Sequence, residues 1–397
     1  MKVAIAAGGR FHALHLAHQL EKRDALKKIF TFSYTKSDRN YISRNLVYNN
    51  NLIANLDFAF SKFRLAKFID RSKYNIIKDN LFDFWLSKNI NKIVDTDIFV
   101  GWTNYFLNSL NKIKKTGAIV IAESGSCHIN FQAKLLAEEY QKWGLYFPAI
   151  RQENISKMVQ EYQQSNYIMT ISNFAYQSFL NEGVSEKKLL KVPCGIDVDF
   201  FLQNKKKISI KKDNKFRVIC VGLLCLRKGV QYLIQAWNKL NLPENNTELL
   251  LVGNLQNDLK QVLKKLKIKK NINFCGSVDK YKLYELYKKS SVFVLPSIED
   301  GFGMVIGEAM ACGLPVICTN HTAGEDLVEN CNHGFVIKAG NVESLAEKIL
   351  WCYKNNDDAV EMGRLGKKRV KFFSWDNYGE SVFNVYNQIL KNKWEKK

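Results

Sequence analysis

A loop rich in acids and glycines is where this chain could do chemistry. After the apolar run Val292–Leu295 and Pro296 it reads SIEDGFG, then enters an apolar stretch from Met304 to Cys312. Glu299 and Asp300 adjoin Gly301, Phe302 and Gly303, and Glu308 follows Asp300 by eight residues. Carboxylates accept from sugar hydroxyls, glycines let backbone N–H groups approach a ligand closely, and a helix N-terminus favours anions. The set suits a phosphorylated sugar, with Asp300 against sugar hydroxyls and Glu308, two turns on, against a pair of ribose hydroxyls. An acid inside so apolar a helix is costly to bury without a polar partner, and a ligand is the expected one. The plainer alternative is a strand-to-helix turn whose acids only cap it.

A second loop, Gly222–Gly229 (GLLCLRKG), puts Arg227 and Lys228 beyond a strand end and at a helix start. Two cations beside free N–H groups suit a diphosphate; solvated surface charge is the alternative. A third, Glu123–His128 (ESGSCH), is a small-residue loop after a buried strand, a position where sites form. His12, His15 and His18 recur every third residue, a spacing open to metal ligands or to helix-face and loop roles, with no acid or cysteine ligand alongside. Asp95/Asp97 and Asp197/Asp199 each form a DxD, but the first precedes a strand and the second lies in a linker, so no metal is expected.

Strands alternating with helices must position these loops. Lys2–Ala7 reads as a strand, Gly8 and Gly9 as a tight turn, and Phe11–Asp24 as a helix, a Rossmann-like opening without the GxGxxG of a dinucleotide site. Strands follow at Ile98–Trp102, Ala118–Ile121 and from Asn166, the last leading into a helix at Phe174–Leu180. The alternation restarts with strand 216–222, helix 229–240, strand 247–253, helix 258–268, strand 272–275 and helix 281–290. Two helices come after Phe335, and Trp375–Leu390 makes a last amphipathic one. Such alternation implies an α/β fold with parallel sheets, and 397 residues divide naturally into two domains.

The run SIEDGFGMVIGEAMACGLPVI resembles the signature of the family 4 retaining glycosyltransferases, in which an acid, a GFG loop and a second acid eight residues after the first bind the nucleotide sugar. The resemblance puts those roles on Asp300 and Glu308; glutamate is commoner at the first position, and Glu299, one residue too early, is the reserve. ESGSCH resembles the family's ERGS-S/T-H loop, with Ser124 in place of arginine, which implies a place near the donor sugar for His128. KVPCGIDVDFF (Lys191–Phe201) resembles the family's domain junction. Leu223 stands where arginine is common, which shifts phosphate binding onto Arg227 and Lys228. The resemblance implies GT-B architecture, two Rossmann-like domains facing across a cleft. Residues 1–197 would form the acceptor side, with Gly8, Gly9 and His12 near the acceptor, and 198–374 the nucleotide-sugar domain. Helix 375–397 would pack back on the first. The implied activity is retaining transfer of a hexose from a nucleotide-diphosphate sugar to a saccharide or lipid-linked saccharide acceptor, in surface polysaccharide or glycoconjugate biosynthesis, with no metal or other cofactor. Alternatives are a sugar-nucleotide epimerase or phosphorylase on the same fold, or a basic nucleic-acid-binding protein. No nucleic-acid motif accompanies the basic residues, so no nucleic-acid partner is expected.

The formal charge of +21, spread over both halves, favours acidic partners, or else reflects the Lys- and Asn-rich codon bias of an AT-rich genome. Phe58–Trp85 interleaves aromatics with Lys62, Arg64, Lys67, Arg71 and Lys73. It reads either as a segment lying on an anionic membrane surface or as helices packed on their own domain. Nine cysteines without a CxxC, several in strand-like runs (Cys220, Cys275, Cys318), read as reduced core residues of a cytoplasmic protein. No signal peptide or membrane-spanning helix is expected; membrane binding would put the chain peripherally on the inner face of the cell membrane.

Overall fold

The computed structural model describes residues 1–9, 11–32, 34–55, 71–147, 150–203 and 213–395. Among them, a first parallel sheet contains β1 (Val3–Ala7), β2 (Leu26–Thr31), β3 (Val47–Asn49), β4 (Ile98–Trp102), β5 (Ile119–Ser124), β6 (Tyr167–Thr170) and β7 (Leu189–Lys191), in the order β3-β2-β1-β4-β5-β6-β7. A second contains β8 (Phe216–Val221), β9 (Thr247–Val252), β10 (Ile272–Gly276), β11 (Val292–Leu295), β12 (Val316–Thr319) and β13 (Gly334–Ile337), in the order β10-β9-β8-β11-β12-β13. Helices cover both faces, which is why β1, β4 and β11 are uninterrupted apolar runs, buried at every position. The strand order reverses between β1 and β4 and between β8 and β11. At such switch points a crevice opens beyond the carboxyl ends of the strands.

The chain crosses between the sheets twice. Ile196 N donates to Phe373 O at 2.8 Å, so the outgoing and returning segments run side by side. The returning helix, Trp375–Trp394, buries Tyr378, Val382, Tyr386 and Ile389 against Val3, Ile5, Leu16 and Leu20 of the first sheet's core.

All nine cysteines are free thiols. Cys220 and Cys318 are core residues, but Cys275 is exposed, contrary to expectation, because β10 is an edge strand whose outer residues face solvent. Of the basic aromatic segment, residues 58–70 lie outside the described residues. The remainder is in the helix Arg71–Lys88, which buries Phe82 and Leu86 and exposes Ile77, Leu81 and Phe84. No helix among the described residues is long and apolar enough to cross a membrane.

Candidate active site

β8 and β11 lie side by side, with Val292 beside Val218, so the loops leaving their carboxyl ends meet at the second switch point. The contact is close enough to demand glycine. A Cβ on Gly229, whose φ is 68°, would fall 1.8 Å from Pro296 O. With the loops held together, their charges pair. Arg227 Nη1 donates to Glu299 Oε2 at 3.0 Å and to Glu299 O at 3.0 Å, and Lys228 forms an ion pair with Asp300.

The two acids are not equivalent. Glu299 is fully buried and also accepts from Ser126 Oγ at 2.5 Å, so its carboxylate is committed to holding the loops and the two domains together. Asp300 keeps 17% of its side-chain exposure. Its Oδ2 lies 3.5 Å from where a Gly303 Cβ would be, at the N-terminus of the helix Met304–Ala311. Asp300 is therefore the acid that can turn toward a ligand, and Lys228 the cation that can leave it for phosphate.

Gly301 is required for another reason than a ligand's approach. A Cβ there would lie 2.4 Å from Gly125 O, and Ser172 Oγ donates to Gly301 O at 2.6 Å, so the first domain presses directly on this loop. Phe302 is buried, and its carbonyl accepts from Ala323 N at 2.9 Å. Glu308 has one polar partner within the protein: Tyr287, from the helix Lys280–Lys289, donates its hydroxyl to Glu308 Oε2 at 3.2 Å. Burial still raises the Glu308 pKa above its ordinary value.

His128 caps the helix Ile129–Lys142, accepting from Asn130 N at 3.2 Å, and is buried against Tyr162 and Phe179. Burial lowers its pKa. Its neighbours Ser126 and Cys127 contact Glu299. His12 is buried too, with Nε2 2.8 Å from Glu123 Oε1 beneath the first loop. Gly8 and Gly9 do sit at the first switch point, between β1 and β4, and rings lie against both.

Two residues of the site belong to no motif. His321, after β12, accepts at its carbonyl from Asp300 N (3.0 Å), bonds Ile298 O through Nδ1 (2.8 Å) and stacks on Phe174 of the first domain. Its one signal in the sequence is a position in a loop beyond a strand's carboxyl end. Glu139, 1% exposed, accepts from Gln231 Nε2 (2.8 Å), Tyr232 Oη (2.8 Å) and Trp143 Nε1 (2.9 Å), fastening the first domain to the helix Val230–Lys239 that follows the Arg227–Lys228 loop. Nothing in the spacing of an ordinary helical glutamate marks that role.

Among the described residues no three His, Cys, Asp or Glu side chains converge as a metal site would require. His12, His15 and His18 each have their own partner: Glu123, the Trp375 ring and Tyr41 O. Asp97 accepts from Lys2 N, and Asp197 pairs with Lys280.

Residues 202–369 match the model of the family described as glycosyl transferases group 1. An uncharacterised glycosyltransferase of Methanocaldococcus jannaschii is 29% identical over 208 residues, 50% of this chain and 52% of its own length. The capsular polysaccharide biosynthesis glycosyltransferase CapM of Staphylococcus aureus is 30% identical over 203 residues, 50% of this chain and 53% of its own. The chain thus spans about half the length of these relatives. Among solved structures, sucrose-phosphate synthase of Thermosynechococcus elongatus superposes with a TM-score of 0.70, covering 99% of this chain and 100% of that one at 18% identity. The architecture is GT-B, and the sequence likeness is to glycosyltransferases.

Proposed function

We propose that this chain is a retaining glycosyltransferase that takes a hexose from a nucleotide-diphosphate sugar and gives it to a saccharide or lipid-linked saccharide, in surface polysaccharide or glycoconjugate biosynthesis. The carrying observation is the pairing of Lys228 with Asp300 at the second switch point, beside the N-terminus of the helix Met304–Ala311. Diphosphate would take Lys228 and the exposed part of Arg227. The Asp300 carboxylate, released from its lysine, would face the sugar and favour positive charge at the anomeric carbon as the bond to phosphate lengthens. Attack from the same side retains configuration. Lysine, arginine and the helix end supply the charge stabilisation that a metal gives elsewhere, so the reaction needs no metal and no covalent cofactor. Residues 198–374 carry the donor and 1–197 the acceptor.

The likeness to glycosyl transferases group 1 and to a capsular polysaccharide enzyme supports the reading. A helix on the first domain with exposed apolar residues and flanking lysines supports work on a lipid-linked acceptor at the inner face of the cell membrane. Screening nucleotide sugars by thermal shift identifies the donor, since a ligand binding only the folded state raises Tm. Transfer from that donor, followed with labelled sugar, should persist in excess EDTA and yield a product of unchanged anomeric configuration. Inversion, or a strict need for a divalent ion, would overturn the mechanism.

A further inference from the structure

The loop after β1 carries an aromatic side chain where none is needed for the core. Phe11 is 56% exposed, and its backbone φ is 29°, in the left-handed region that non-glycine residues seldom adopt. Such an outlier persists only where its surroundings hold it, and it is found preferentially at ligand sites. The facing loop, after β4, is also unusual: Asn104 has φ 82° and is followed by Tyr105. The Phe11 and Tyr105 ring centres are 6.2 Å apart at an interplanar angle of 56°, and Tyr105 in turn meets Phe32 edge-on at 6.0 Å.

The two glycines are explained by these rings. A Cβ on Gly8 would lie 2.1 Å from Tyr105 and 2.8 Å from Phe32, and one on Gly9 2.5 Å from Phe11. The loop is thus roofed by aromatics, and its glycines serve ring packing. The rings stand at the switch point of the first sheet, the crevice in which a ligand of this domain would sit.

Resting on the transferase reading above, we propose that Phe11 and Tyr105 form a tilted two-ring cradle for the acceptor, stacking on the apolar C–H face of its terminal pyranose. Tyr105, supported by Phe32 and Phe82, is the fixed wall. Phe11, with over half its surface exposed, is the wall that sets which sugar face is accepted.

Saturation-transfer NMR with methyl α-D-glucoside, methyl α-D-mannoside and methyl α-D-galactoside, in the presence of UDP and separately GDP, needs no turnover and tests the cradle directly. Wild type should saturate the ring C–H protons of at least one glycoside. F11A should weaken that binding about tenfold, F11W should restore it, and nucleotide affinity should be equal in all three proteins. F11G should melt no lower than wild type, since glycine relieves the backbone conformation, yet bind glycoside as poorly as F11A. Absence of saturation transfer to every glycoside in wild type, or equal binding by wild type and F11A, overturns the proposal. Failure of the protein to bind any nucleotide sugar is a separate result, which overturns the transferase reading itself.

Discussion

Asp300 and Glu299 are adjacent carboxylates with opposite duties, and substitution should separate them. Asp300→Asn keeps a hydrogen-bonding side chain but loses the charge that pairs with Lys228 and that the proposed mechanism sets against the anomeric carbon, so kcat should fall about 100-fold. Glu299→Gln instead removes the charge from a buried carboxylate paired with the partly exposed Arg227, and should lower stability by about 2 kcal/mol, read as a shift in denaturant midpoint. The reverse pattern would exchange the two assignments. Lys228→Ala should weaken nucleoside diphosphate binding by about 10–100-fold, the worth of a charge-assisted contact, and leave nucleoside binding unaltered; equal losses for both ligands, by calorimetry, would place Lys228 away from the phosphates. At this scale much is legible in the sequence: Asp300, Arg227 and Lys228 come together as their positions beyond strand ends imply. The partners that His128 and Glu308 find within the protein are not legible in the same way. Whether a side chain turns inward to cap its own helix, or finds a tyrosine two elements away, depends on packing that residue spacing does not carry.

Elements are easier to read than their contacts. β11, with four apolar residues between turn signals, has the bounds its sequence implies, and the helices of the second domain agree to within a few positions. β12 and β13 are as short as β11, but Thr319 in one and Gly334 in the other interrupt the apolar run that marks β11. The triple histidine spacing proves to be a helix start with three separate environments. The helix Arg71–Lys88 has one apolar side that packs and another that does not: Ile77 (58% exposed), Leu81 (43%) and Phe84 (57%) form a stripe with exposed Lys73 and Lys88 at its ends. On an anionic surface each such lysine adds about 1 kcal/mol, and the apolar stripe adds a part that salt does not screen. The variant I77N/L81N/F84N should therefore lose sedimentation with anionic vesicles at high salt while retaining some at low salt. Equal pelleting of wild type and variant at high salt would show that the stripe is not the contact.

On the scale of the molecule, the two domains are joined by a seam of polar contacts and by two chain crossings. His15 sits at the crossing, its ring stacked on Trp375 at 3.8 Å, and burial depresses its pKa from 6.5 to about 4, with Asp197 opposing and His12, His18 and Lys280 assisting. The folded state therefore holds His15 neutral while the unfolded chain protonates it near pH 6.5. Its contribution is present above that value and is lost as pH falls toward 4. Tm should drop over this window in wild type, and His15→Gln should flatten part of the drop; identical Tm profiles would refute the linkage.

The returning helix has a consequence for how the protein is made. The first domain's core, around Val3, Ile5 and Leu16, stays uncovered until Tyr378, Val382 and Tyr386 have left the ribosome, because those residues complete it. The second domain, contiguous in sequence, should become protease-resistant earlier during synthesis, although its partner begins first. A chain released at residue 374 should yield a resistant carboxy-terminal fragment and a degraded amino-terminal one, in limited proteolysis of translation products.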